Sequence, residues 1–147
     1  MRTQPLENRD GRRTLLAVFD IGDEVSEGLL SIAREHEIEG AYFTGIGALS
    51  EATLGYWEWE SKSYREISVR EQLEVLSLTG NVALGPDGET KVHAHIVAGK
   101  RDGTAHGGHL LAARVRPTLE VIIVEVPEHL RRRLDAQTGL PLLHVSA

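Results

Sequence analysis

The sequence predicts an α+β domain: about seven strands in a mostly antiparallel sheet, one principal flanking helix and a short C-terminal helical turn. Three observations lead there. Apolar residues recur at spacings of three and four in a single long stretch, and alternate with period two through most of the remainder. Turn-forming clusters such as Pro86-Asp87-Gly88 and Lys100-Arg101-Asp102-Gly103 cut the alternating part into short runs. The links between runs are mostly too short for crossover helices, so neighbouring strands should be antiparallel.

Residues 1–12 are polar, with Pro5 and Gly11, and read as a flexible tail ahead of a single domain at 13–147. Arg13 to Ile21 becomes apolar through Leu15, Leu16, Ala17, Val18 and Phe19, which suits a buried strand. Gly22-Asp23 ends it, and Asp23 or Ser26 can cap a helix running to about Glu37. Val25, Leu29, Ile32, Ala33 and His36 share one face of that helix, while Glu24, Glu27, Arg34 and Glu35 take the wet one. Strands follow at Ala41–Ile46 and Ala52–Glu60, separated by a bend at Gly45-Ile46-Gly47-Ala48. Tyr64–Val69 is a short exposed strand, and Leu73–Val82 an apolar one with a bulge marked by Gly80-Asn81. Lys91–Ala98 and His109–Val115 flank the second turn, and Pro117 breaks the chain before Leu119–Val126, which is apolar on both faces and so central. After Pro127, Glu128–Asp135 forms the helical turn, and the residues from Gly139 a tail or edge strand.

The bulk properties narrow the function classes. A chain of 147 residues is one domain's worth of core. No cysteine is present, which excludes disulfides, thiolate metal sites and a thiol nucleophile. No apolar run approaches the ~20 residues of a membrane helix, and the polar start lacks the apolar segment of a signal peptide, so a cytoplasmic location is expected. Sixteen Lys plus Arg against twenty-two Asp plus Glu leave a formal charge of −6. Nucleic-acid binding needs a basic surface to neutralise phosphates, so this balance counts against DNA.

Chemistry concentrates at His93, His95 and His109. Alternation places His93 and His95 on one face of a strand. If Arg101-Asp102-Gly103 is a three-residue loop with a left-handed Gly103, Lys100 faces Thr104 and His95 faces His109. Cross-strand partners share a face with Cβ atoms within ~5.5 Å, so the three imidazoles would converge and His106, opposite Ala98, would not join them. A two-residue Asp102-Gly103 turn would instead carry His109 to the other side. Three neutral imidazoles suit a divalent metal, zinc above all, with Ni²⁺, Fe²⁺ or Mn²⁺ as alternatives, and leave a coordination position open for a small ligand. Glu120 is a candidate to hold the outer nitrogen of one of them.

Other features are weaker. Gly45-Ile46-Gly47 lacks the third glycine of a dinucleotide fingerprint, and no phosphate loop or nucleophile elbow is present. Tyr56, Trp57, Trp59 and Tyr64 read as sheet-face or subunit-contact residues before base-stacking ones. Arg131-Arg132-Arg133 reads as a solvated charge run, and Arg114 and Arg116, which flank the histidine strand, as weak candidates to attract an anionic ligand.

Five stretches together resemble the plants-and-prokaryotes conserved (PPC) domain: Phe43-Thr44-Gly45-Ile46-Gly47-Ala48, Leu76-Ser77-Leu78-Thr79-Gly80-Asn81, Val92-His93-Ala94-His95-Ile96, Gly107-Gly108-His109-Leu110 and Thr118-Leu119-Glu120-Val121. The resemblance runs from about Arg13 to Leu143. It implies a homotrimer, a metal on the histidines, and the DNA-binding label that prokaryotic members inherit by analogy with plant relatives. Two departures weaken a plant-like role. Gly11-Arg12-Arg13 lacks the proline of the AT-hook core, and Glu71-Gln72-Leu73-Glu74-Val75-Leu76 lacks the Gly, Arg and Phe of the plant partner-binding segment.

The reading is therefore a trimeric metal-binding domain with a ligand-binding or regulatory role. The alternative is a metal-dependent enzyme acting on a small metabolite, for which Glu120, Glu125 and His106 are the candidate bases. DNA association ranks third.

Overall fold

The computed structural model describes residues 1–6, 12–126 and 129–145. It contains nine strands and one helix: β1 (Arg2–Leu6), β2 (Thr14–Phe19), α1 (Val25–Glu35), β3 (Gly40–Glu58), β4 (Ser63–Val69), β5 (Leu73–Leu84), β6 (Thr90–Gly99), β7 (Ala105–Glu125), β8 (Arg132–Leu134) and β9 (Pro141–Leu143). The first seven strands form an antiparallel sheet in the order β1-β2-β7-β6-β5-β3-β4, and β8 pairs with β9. The α+β class with one flanking helix holds.

Two strands organise the sheet. β3 pairs with β5 through Gly40–Leu49 and with β4 through Ala52–Glu58, and its other edge pairs with β7 along most of its length. β7 in turn pairs with β6 at one end and β2 at the other. The pairings β3–β5–β6–β7–β3 return to their start, so the sheet closes on itself and loses its edges there. Inside lies one continuous core, with Phe19, Leu29, Ile32, Phe43, Leu49, Leu78 and Leu119 among its fully buried side chains.

The helix is amphipathic as its spacing dictates, burying Val25, Leu29, Ile32 and Ala33. Glu24, not Asp23 or Ser26, is its cap: one carboxylate oxygen accepts from the Glu27 amide at 2.6 Å and the other from the Ala113 amide at 2.9 Å. The same residue thus starts the helix and ties it to β7. No described helix is long and apolar enough to cross a membrane.

Several boundaries differ from the sequence reading, each for a physical reason. Residues 2–6, expected as tail, add an edge strand to β2, and Pro5 is tolerated because an edge strand needs no donor on its open side. Positions 7–11 lie outside the described residues. The bend at Gly45–Gly47 does not end a strand; it is a bulge inside β3, where a Cβ on Gly47 would run into the Thr118 carbonyl. Pro117 does not break β7 either. The register against β3 jumps from Gly47↔Leu119 to Leu49↔Val115, so Pro117 lies in the bulge where no ladder donor is required.

The bulge expected at Gly80-Asn81 falls instead between Val75 and Ser77; Gly80 pairs regularly and is glycine because the Phe43 ring lies against it. β3 stops at Glu58, leaving Trp59 exposed in the turn. The C-terminal helical turn is also corrected: Arg131–Leu134 is extended, with Arg131 and Arg133 exposed and Arg132 buried. That alternation belongs to a strand.

Candidate metal centre

The hairpin joining β6 to β7 is closed by a three-residue loop. The Lys100 amide donates to the Thr104 carbonyl at 2.8 Å and the Gly103 amide to the Lys100 carbonyl at 3.0 Å, with Gly103 at φ +83°. Asp102 locks the turn by accepting from the Thr104 amide and hydroxyl at 2.9 and 2.6 Å. From this loop the register counts back to Ala98↔His106 and His95↔His109, the three-residue alternative of the two.

Because Ala94, Ile96 and Ala98 face the core, His93 and His95 stand on the outer face of the sheet. His109 joins them from β7, and one ring nitrogen from each of the three lies within 4.8 Å of the others. The Nε2 atoms of His93 and His95 are 3.2 Å apart. Ring centroids are separated by 5.1 Å (His93–His95), 4.9 Å (His93–His109) and 5.4 Å (His95–His109).

Tetrahedral ligands at ~2.05 Å from zinc sit about 3.3 Å from one another, so the His93–His95 spacing matches a shared ion. The electrostatics agree with the donor chemistry. Partial burial, reinforced by His109, Arg132 and His95, lowers the His93 pKa to about 4, and burial with His95 and Arg132 lowers that of His109. Both rings are therefore neutral at pH 7, the form a metal requires. His93, His95 and His109 would hold the ion, and no carboxylate joins them among the described residues.

Four surrounding residues were not assigned to the site from the sequence. Tyr64, on β4, stacks on His109 with centroids 4.7 Å apart, and its hydroxyl meets the His109 Nδ1 at 3.4 Å. Trp57, its cross-strand partner, packs edge-on against Tyr64 at 5.0 Å. Asn81 stands opposite His93 and accepts a hydrogen bond from Arg132, whose other terminal nitrogen donates to the Pro141 carbonyl at 3.0 Å. The sequence carried no signal for Arg132, which lies inside a run of like charges; its burial emerges only when β8 folds against its neighbours.

Other candidates lie elsewhere. Glu120 is exposed between Val18 and Ile46, eleven positions along β7 from His109, a distance of roughly 36 Å in an extended strand, and cannot support the histidines. Glu125 is held by Arg13 at 2.7 and 2.9 Å. Arg114 is engaged by the Gly22 carbonyl and Glu51. His106 shares the face of Ala98.

The sequence model of the Plants and Prokaryotes Conserved (PCC) domain matches residues 7–127. The chain belongs to this family. Proteins of known structure share the fold at close range. A metal-containing protein from Archaeoglobus fulgidus is 35% identical over 90% of this chain and 93% of its own, with a TM-score of 0.82. A PPC protein from Pyrococcus horikoshii is 31% identical over 99% and 96%, with a TM-score of 0.84. A Ralstonia eutropha protein, provisionally described as DNA-binding, is 29% identical over 97% and 96%, with a TM-score of 0.85. Comparison with curated proteins gives no match.

Proposed function

We propose that this PPC-domain chain is a cytoplasmic, homotrimeric metal-binding protein that holds a divalent cation, zinc in the first instance, on His93, His95 and His109. Its role is to bind a small ligand or partner at the remaining coordination position, a regulatory role in preference to a catalytic one. The observation that carries the reading is the His95↔His109 register, which brings three imidazoles to one point. The metal-containing Archaeoglobus relative, 35% identical, supports it. A bound zinc would act as a Lewis acid toward a ligand in its open position.

The chain's own residues shape that position. Tyr64 orients the His109 ring, and the Asn81–Arg132 pair backs His93. Among the described residues no carboxylate joins the three imidazoles to serve as a general base beside the metal, which supports binding over turnover. The trimer is supported by exposed apolar side chains on neighbouring strands of the closed sheet, Tyr42 and Ile46 on β3, Leu76 on β5 and Val97 on β6, which an assembly would cover.

Element-resolved analysis of protein purified without chelator tests the site. About one metal per chain is expected, with loss in His93→Ala. Metal-free protein, or metal retained by that variant, refutes the assignment. A mass measurement giving three chains tests the assembly.

A further inference from the structure

Among the described residues, β8 and β9 pair with each other and join no other strand in a ladder. A two-stranded hairpin is marginal by itself in water, so this one depends on what it packs against. From residue 129 to residue 145 the one buried side chain is Arg132, and β9 is exposed throughout. Two bonds fasten the hairpin to the end of β5. The Leu84 amide donates to the Leu130 carbonyl at 2.8 Å, and Arg132 donates to the Asn81 side chain. An exposed pair just before the hairpin, His129 with Glu39 at 2.9 Å, is the other tie.

The buried anchor is a cation held by neutral groups. Its terminal nitrogens meet an amide and the Pro141 carbonyl, not a carboxylate. Taking a guanidinium out of water is costly, and neutral acceptors offset less of that cost than an acid would. Docking of the hairpin is therefore sensitive to any further positive charge nearby. The histidine site is where such a charge would sit. Asn81 stands opposite His93 on the neighbouring strand, and the field of Arg132 contributes to the lowered pKa values of His93 and His109. Electrostatics that disfavour a proton on these rings also disfavour a dication held by them.

We infer that the β8–β9 hairpin is a metal-sensitive strap, which Arg132 holds against β5 while His93, His95 and His109 are free and releases when they hold a divalent cation. The inference rests on the metal reading above and adds a consequence of it for the C-terminal segment. Coupling of this kind is reciprocal: the factor by which metal loosens the strap is the factor by which strap release tightens the metal.

Hydrogen exchange on the full chain, metal-free and loaded with Zn²⁺, reads the strap directly. Zinc content is measured first. The Leu84 amide reports docking, because its acceptor lies on the hairpin segment. The Lys100 amide, bonded to the Thr104 carbonyl across the β6–β7 turn, is the internal control. Zinc should speed exchange at Leu84 by roughly tenfold or more, and should not speed it at Lys100. Zinc affinity, from chelator competition, should rise by roughly tenfold or more in Arg132→Gln. Arg132→Lys, which keeps the charge, should bind zinc like the wild type.

Bound zinc with Leu84 exchange unchanged or slowed overturns the strap and spares the metal site. So does an Arg132→Gln affinity at or below the wild-type value, or an equal gain in Arg132→Lys. If Arg132→Gln does not fold, as judged by circular dichroism, the exchange measurement on the wild type decides alone. Protein that takes up no zinc overturns both readings.

Discussion

The Tyr64 hydroxyl lies 3.4 Å from Nδ1 of His109, and the two rings are tilted by 32°. An Nδ1 proton donated to the Tyr64 oxygen leaves Nε2 of His109 as the free ligand atom and fixes the tautomer. Burial raises the Tyr64 pKa, so the phenol stays neutral throughout the physiological range.

Tyr64→Phe should therefore lower metal affinity by roughly 10- to 100-fold, the usual effect of removing a hydrogen bond behind a ligand, while the ring contact with Trp57 persists. Competition with a chromophoric chelator measures the affinity. A thermal melt of the metal-free variant should move little, because one partly buried hydrogen bond contributes only about 1 kcal/mol.

The depressed histidines set a pH dependence for the metal-free protein. An unfolded chain binds a proton at these residues near pH 6.5, whereas folded His93 resists until about pH 4 and His109 also titrates late. Stability is thus fully present above the unfolded value and falls as pH drops below it, the decline from His93 ending near pH 4. Each such group contributes a slope of at most about 1.4 kcal/mol per pH unit, and less here because water screens half-exposed rings. Urea titrations of chelator-treated protein between pH 4 and 7 should show this slope, and His93→Gln should flatten it. An unchanged slope in the variant would refute the assignment.

What the sequence made legible was local. The convergence of His93, His95 and His109 follows from alternation within one strand and the count across one short turn, and the register in the structure is one of the two that count allows. The helix, too, follows from the spacing of Val25, Leu29, Ile32 and Ala33. The surroundings of the site were not legible, because they depend on distant pairings. Tyr64 reaches His109 only because β3 pairs with β4 on one edge and with β7 on the other. Arg132 reaches Asn81 only because β8 folds back across the end of β5. Gly45–Gly47 and Pro117 misled for a related reason: they mark bulges in two long strands, and local chemistry does not distinguish a bulge from an end.

Gly80 illustrates a close approach that only the assembled sheet imposes. It pairs with Phe43 on one side and Ala94 on the other, and a Cβ there would collide with the Phe43 ring and the His93 carbonyl. Gly80→Ala should cost about 1–3 kcal/mol, as overpacked cores do. Phe43→Leu in the same chain should recover part of that loss, whereas additive penalties in a double-mutant cycle would show that the carbonyl contact dominates.

The turn at Arg101-Asp102-Gly103 tests whether the hairpin alone aligns the histidines. Gly103 takes φ +83°, a left-handed conformation that costs a side chain about 1 kcal/mol, though the space around it is open. Gly103→Ala should lower stability by that amount. It should not displace His109, because β3 holds β7 independently through Leu54↔Leu110 and Gly55↔His109. Metal stoichiometry is therefore expected to stay at the wild-type value while the melting temperature drops by several degrees. Loss of metal accompanying so small a destabilisation would mean that the turn, not the long β3–β7 ladder, keeps the third imidazole in place.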